Sequence, residues 1–232
     1  MDDALVAGAI GFLAGRGGAF LDAVLSPTAT AAGEDLLAHY RRWTGRNVAD
    51  ALTAAADMLA DAGDTPNPVP GRILFPILTY AAVEEDAMLK HKWAALLANA
   101  ASSTEANRLL PAYAETLRQL TPMQAHILDW LYNMEEDSHI GFPVWPDVSR
   151  NDIEAHFKLT PEQYALFISD MDRLQVVEGR RDTKMPQHLK LSDEQLEALV
   201  VDRWNSRVKY ELVTFTTLGI NFMRACSPPR LR

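Results

Sequence analysis

The chain has 232 residues, 48% of them apolar, and a single cysteine, Cys226. That length and composition allow one large or two small units whose core needs no disulfide framework, and the lone thiol with no cleavable signal pattern points to a reducing cytoplasm. The net charge of −9 is evenly spread, 9 Lys/Arg against 14 Asp/Glu over residues 1–120 and 13 against 17 over 121–232. A phosphate backbone is therefore repelled at long range, and nucleic-acid binding needs a local basic patch.

Residues 4–25 are rich in Ala, Gly, Leu and Val. The uncharged run Ala4 to Gly15 is about half of the roughly 20 residues a spanning helix needs, so a packing helix is expected. A membrane-surface element, favoured by the close-approach spacing of Gly11 and Gly15, is the alternative. From Asp35 to Ala62 apolar residues recur at helical steps, with a break near Gly45. Arg41, Arg42 and Arg46 cluster there and suit either an anion or a solvated face. Pro66, Pro68 and Pro70 then mark a linker.

The strongest helical pattern runs from Ile73 to Ala101, with Pro76 in its first turn and Leu78, Ala81, Met88, Leu89, Trp93, Leu96 and Leu97 on one stripe. It is the expected centre of the core. Glu85 and Lys92 fall beside the stripe two turns apart, and burial requires partners for both. That makes Glu84, Glu85 and Asp86, with Lys92 and Trp93, the candidate polar or interaction site. The plainer reading of the acidic run is a helix start favoured by the dipole.

Leu109 to Leu120 reads as a further helix, and Thr121-Pro122-Met123-Gln124 as a capping box opening the next. The proline-rich stretch Ile140 to Val148 is a loop or short extended segment. A short helix from Ser149 to Phe157 follows, and Thr160-Pro161-Glu162-Gln163 caps another, running to Gln175. Val176 to Glu178 and Val208 to Thr216 pair as strands, Ser192-Asp193-Glu194-Gln195 opens a helix between them, and Leu218 to Cys226 closes the chain as an amphipathic helix. The fold class is mainly α: a helical bundle followed by a winged-helix-like module with a small two-stranded β ribbon. The expected divisions are a helical region over 1–65, with its first 30 or so residues peripheral, a core around Trp93 over 66–120, and the winged module over 121–232.

In a winged helix the third helix, here Pro161 to Gln175, enters the major groove. It carries Glu162, Asp170 and Asp172 against one cation, Arg173, which does not suit base or phosphate contact. Arg180 and Arg181, after the first strand, are the remaining candidate anion contacts. The six histidines lack metal-ligand spacing, and no nucleophile elbow or phosphate loop is present. Cys226 reads as a small buried hydrophobe. No catalytic residue, cofactor or metal is expected.

The stretch Leu74 to Leu131 resembles the abortive infection alpha (Abi-alpha) family. The resemblance rests on Pro76, Ala82, Glu84-Glu85-Asp86, Leu89, Trp93-Ala94-x-Leu96-Leu97-Ala98-Asn99-Ala100, Leu117-x-Gln119-Leu120-Thr121-Pro122 and Ala125-x-Ile127-Leu128. Tyr210-x-Leu212-x-x-Phe215-Thr216-x-Leu218-Gly219-x-x-Phe222-x-x-Ala225-Cys226 is similar to the family's ending, with one additional Thr before Gly219. The resemblance implies a bacterial or prophage-borne phage-defence protein that arrests growth of an infected cell, and it supplies no active site. The resulting expectation is a non-enzymatic module that senses or binds a protein partner or a second copy, cytoplasmic or peripheral at the inner membrane. The alternatives are a winged-helix DNA-binding regulator and a membrane-directed effector acting through residues 4–25.

Overall fold

The computed structural model describes residues 19–20, 45–102, 110–134, 136–137, 143–180 and 211–229. It is mainly helical, with a small three-stranded antiparallel sheet. Two compact units are distinguished, one reaching Ala125 and taking in the chain again from Asn221, the other comprising His126–Ile220.

The first unit is built on α1 (Gly45–Asp61), α2 (Gly71–Val83), α3 (Ala87–Ala101) and α4 (Ala112–Gln119). Every residue of α3 from Lys92 to Ala101 is buried, as expected of a helix apolar all round and packed on several neighbours. Its alanines, Ala94, Ala95, Ala98, Ala100 and Ala101, let other helices approach closely, and α1, α2 and α4 all pack against it. Val48, Leu52, Ala55 and Leu59 of α1, Leu74, Ile77 and Leu78 of α2, and Tyr113 and Leu117 of α4 complete this core. The core thus centres on the Trp93 helix, as its pattern predicts.

The single helix expected from Ile73 to Ala101 is instead two, broken at Glu84–Asp86. Asp86 competes successfully for the backbone: its carboxylate accepts from the Met88 and Leu89 N–H groups, both at 3.0 Å, and so starts a new helix. Pro76 lies inside α2 rather than in its first turn. The preceding linker is tied down. Gly63, at φ +65°, closes α1 in a Schellman motif, with the Gly63 N–H on Ala60 O at 2.9 Å and the Asp64 N–H on Leu59 O at 3.0 Å. Asn67 N–H then bonds Ala101 O at 2.8 Å, and Ser102 Oγ donates to Asp64 at 2.7 Å.

The helix α5 (Pro122–Tyr132) opens on the expected capping box: the Thr121 N–H donates to Gln124 Oε1 at 2.8 Å and the Gln124 N–H to Thr121 Oγ1 at 3.3 Å. In the second unit β1 (Glu136–Asp137) pairs with β2 (Pro143–Val144), and β3 (Val148–Ser149), α6 (Arg150–Phe157), α7 (Pro161–Arg173), β4 (Val177–Arg180) and β5 (Leu212–Phe215) follow; α8 (Thr217–Ala225) begins in this unit and ends in the first. The expected ribbon is present, with Val177 opposite Phe215 and Arg180 opposite Leu212. It has a third strand: β3 pairs on the other edge of β5, with Val148 opposite Val213. Trp145 is what anchors this proline-rich stretch, stacking on Tyr132 at 5.5 Å and donating Nε1–H to Tyr132 O at 3.0 Å. The helix read from Ser192 lies outside the described residues.

Candidate functional site

Glu84, Glu85 and Asp86 form the corner between α2 and α3, and two of the three carboxylates are used by the backbone. Glu84 Oε1 accepts from the N–H groups of Glu85 and Asp86, both at 3.0 Å, while Asp86 caps α3. Asn47, at the start of α1, fixes the corner from outside by donating to Ala82 O and Glu84 O, each at 3.0 Å. Glu85 is exposed and precedes the first residue of α3, whereas Lys92 and Trp93 are buried inside that helix. Glu85 and Lys92 therefore share no helical stripe, and the two-turn interval does not relate them. The acidic run has the local geometry of a helix-to-helix turn.

Trp93 packs against Tyr80 at 5.8 Å, and its Nε1–H has no hydrogen-bond acceptor among the described residues. Tyr80 leads outward to a polar group that sequence reading missed. Its hydroxyl donates to Glu115 Oε1 at 2.8 Å, Arg118 Nε reaches Glu115 Oε2 at 3.0 Å, and the Arg118 guanidinium lies 5.2 Å from the centre of the Tyr80 ring. The tyrosine hydrogen bond first, and Arg118 second, hold the Glu115 carboxyl below its ordinary range. Tyr80 lies 35 residues from Glu115, a separation no local pattern encodes.

Of the candidate anion contacts, Arg46 is exposed in the first turn of α1, and Arg41, Arg42 and Arg181 lie outside the described residues. Arg180 is paired with Glu178 on its own strand at 3.0 Å, both side chains about half exposed, which lowers the glutamate's pKa and raises the arginine's. On α7 Pro161, Glu162, Gln163, Leu166, Ser169 and Arg173 are exposed, Glu162, Leu166, Ser169 and Arg173 lying along one line, and Arg173 is bridged to Asp170 at 2.8 Å. The amides that could read bases are used locally: Gln163 Oε1 accepts the Thr160 N–H at 2.9 Å in the expected capping box, and Gln175 Nε2 donates to Asp172 O at 2.9 Å.

Two further residues carry roles that spacing alone did not reveal. Asn99, buried in α3, directs Nδ2 at Ala95 O (3.1 Å), Ala225 O (2.9 Å) and Ser227 O (2.7 Å), so it caps the carbonyl end of α8 from across the sequence. Gly219 sits in the first turn of α8, where its N–H donates to Thr216 Oγ1 at 2.9 Å. A Cβ there would stand 1.8 Å from Val176 O, so this approach of helix to strand requires glycine.

Among the described residues no three or more His, Cys, Asp or Glu side chains form a group able to hold a metal ion, and no helix is long and apolar enough to cross a membrane. Apart from Ala19 and Phe20, residues 4–25 lie outside the described residues. Cys226 is buried near Tyr113, whose pKa is raised by burial and then by that thiol. No curated protein and no solved structure matches the chain. The model of the abortive infection alpha family does match, over residues 47–226, taking in the helices built on Trp93, the Asn99 cap and the Gly219 turn: the chain belongs to that family.

Proposed function

We propose that this chain serves abortive infection as a non-enzymatic interaction module, recognising a protein through the exposed surface of its second unit. The observation that carries this is the outward face of α7. Its centre is Leu166, 67% exposed, its two charges are of opposite sign, and it presents no row of cations or amides. Such a face matches a protein surface better than a phosphate backbone. The surrounding charge agrees: residues 126–220 hold 17 Asp/Glu against 10 Lys/Arg, most of the chain's deficit. Phage plating efficiency tests the reading on hosts carrying the intact gene, a deletion, or Leu166→Asp. Protection lost in both the deletion and the variant supports it. Plating unchanged by the deletion overturns it.

One observation favours a second reading. The order α5, β3, α6, α7, β4, β5, with β5 between β3 and β4, supports a winged-helix reading, in which a DNA-binding regulator would use α7 in the groove. That function requires a salt-dependent mobility shift on duplex DNA, lost on reversing Arg180 and Arg181 to glutamate.

A further inference from the structure

We propose that the outward face of α7 is a two-fold contact through which two copies of this chain pair antiparallel. The inference rests on the protein-contact reading above and names the partner. Glu162, Leu166, Ser169 and Arg173 are all exposed, and they follow one another at intervals of four, three and four residues. That is the seam spacing of a helix lying lengthwise on another helix. Read from the N-terminal end the seam is acid, leucine, serine, base; from the other end it is base, serine, leucine, acid.

An antiparallel pair centred between Phe167 and Ile168 therefore places Glu162 against Arg173 of the second copy and Leu166 against Ser169 of the second copy. Each pairing occurs twice, as an isologous interface demands. At 1.5 Å rise per residue the two charged ends lie about 16 Å apart on both helices, so both ion pairs close together. The small Ser169 leaves the space that Leu166 fills. Arg173 is braced along its own helix by Asp170 while 58% of its side chain stays exposed, which orders the guanidinium for a second carboxylate. Among the described residues Leu166 is the most exposed large apolar side chain, and pairing covers it.

A pair of 13-residue helices falls short of the roughly 1,200 Å² of a stable interface, so the association is weak and concentration-dependent. The acidic charge of each unit opposes it at low ionic strength, and about 0.15 M salt screens that repulsion. The test is sedimentation equilibrium of the full chain from micromolar to near-millimolar concentration. Glu162→Arg alone, or Arg173→Glu alone, turns both ion pairs into repulsions and is expected to weaken association about tenfold or more. An equimolar mixture of the two variants regains attraction at both ends and is expected to form the mixed dimer, as is the double variant with itself. Leu166→Ala removes the seam's apolar centre without placing a charge one turn from Asp170 and is expected to weaken association, and a thermal melt verifies that each variant is folded.

A wild-type chain that stays monomeric throughout, a single reversal that pairs as the wild type does, or a mixture that stays monomeric overturns the proposal. Phage plating separates this from the broader reading. A chain that protects yet does not pair loses this contact and keeps a role in binding another protein. A chain that pairs, and whose deletion leaves plating unchanged, loses the defence role and keeps the contact.

Discussion

Gly219→Ala is the substitution for which the structure sets the largest cost. In a helix interior the exchange favours alanine by about 1 kcal/mol, so propensity alone predicts a gain. The new Cβ would meet Val176 O at 1.8 Å, Val176 C at 2.8 Å and Phe215 Cδ1 at 3.0 Å. Two of those atoms are backbone, and no rotamer change relieves them. Normal carbon–oxygen contact needs a shift of about 1.5 Å between the first turn of α8 and the start of β4, well beyond what a packed interior absorbs. Val176 O also accepts from the Thr216 N–H at 3.2 Å and the Thr216 hydroxyl at 3.3 Å, so the shift endangers both bonds. Overpacking at about 1–3 kcal/mol and one or two weakened bonds at about 1 kcal/mol each outweigh the propensity gain of about 1 kcal/mol, for a net loss of about 1–4 kcal/mol. Urea denaturation read by circular dichroism measures it, with Gly63→Ala as the control. Gly63 shares the helix-end context but has φ +65° and nothing within 4 Å of a Cβ, so its cost is that of left-handed backbone, about 1 kcal/mol. A Gly219→Ala chain as stable as the wild type, or a larger loss at Gly63, refutes the reasoning.

Asn99→Leu removes the cap on the carbonyls of Ala225 and Ser227 and is expected to cost about 2–3 kcal/mol, read by urea denaturation, while exposed substitutions nearby stay within about 0.5 kcal/mol. Asp86→Ala deletes an N-cap and should cost about 1 kcal/mol, whereas Glu85→Ala, whose side chain is exposed, should stay within about 0.5 kcal/mol; equal losses in thermal melts would contradict the turn reading of the acidic run. Because the Glu115 carboxyl is held below its ordinary pKa when folded, its contribution is present above the unfolded value and is lost as pH falls through the folded one. Glu115→Gln should therefore flatten the acid limb of a stability profile below about pH 4.5, by under about 1 kcal/mol for so exposed a group, and an unchanged limb would exclude the effect.

Local chemistry was legible wherever a signal and its partner lie within a few residues. Both described capping boxes, Thr121 with Gln124 and Thr160 with Gln163, form as their spacing predicts, and Pro122 and Pro161 occupy the first helical positions. The two-residue ribbon period around Val213 and Phe215 was equally clear. The break at Glu84–Asp86 was not, because apolar periodicity on either side is nearly in phase and only the cap on Met88 and Leu89 reveals that the backbone turns. β3 was not separated from the stretch read as a loop or short extended segment, since two residues, Val148 and Ser149, make no strand pattern of their own and are held by pairing with β5. Asn99 and Tyr80 acquire their partners 126 and 35 residues away, a relation no local pattern encodes.

Most of the described residues that carry the family resemblance share one physical character. Ala82, Leu89, the run from Trp93 to Ala100, Leu117, Leu120, Ala125, Ile127, Leu128, Phe215, Gly219, Phe222, Ala225 and Cys226 are buried, and Glu84, Asp86, Asn99 and Thr216 bond main-chain groups. Those positions specify how the chain folds: a corner, a helix cap, and a helix packed too closely on a strand for any side chain but hydrogen. Of the polar groups on the resemblance residues, Glu85 is exposed and Trp93 Nε1–H has no acceptor among the described residues. The family match takes in Thr160 to Gln175 as well, and these residues supply an exposed helical seam among the described residues of the second unit. The buried positions account for the scaffold, and the proposed contact rests on the exposed face of α7. Substitution at Leu166 should then alter association while leaving the melting temperature within about 2 °C, since exposed changes move stability by only about 0.5 kcal/mol, whereas reversing Glu162 or Arg173 also loses a favourable helix-end charge and costs up to about 1 kcal/mol more. The reverse pattern at Leu166, a lowered melting temperature with association intact, would place that residue in the fold instead.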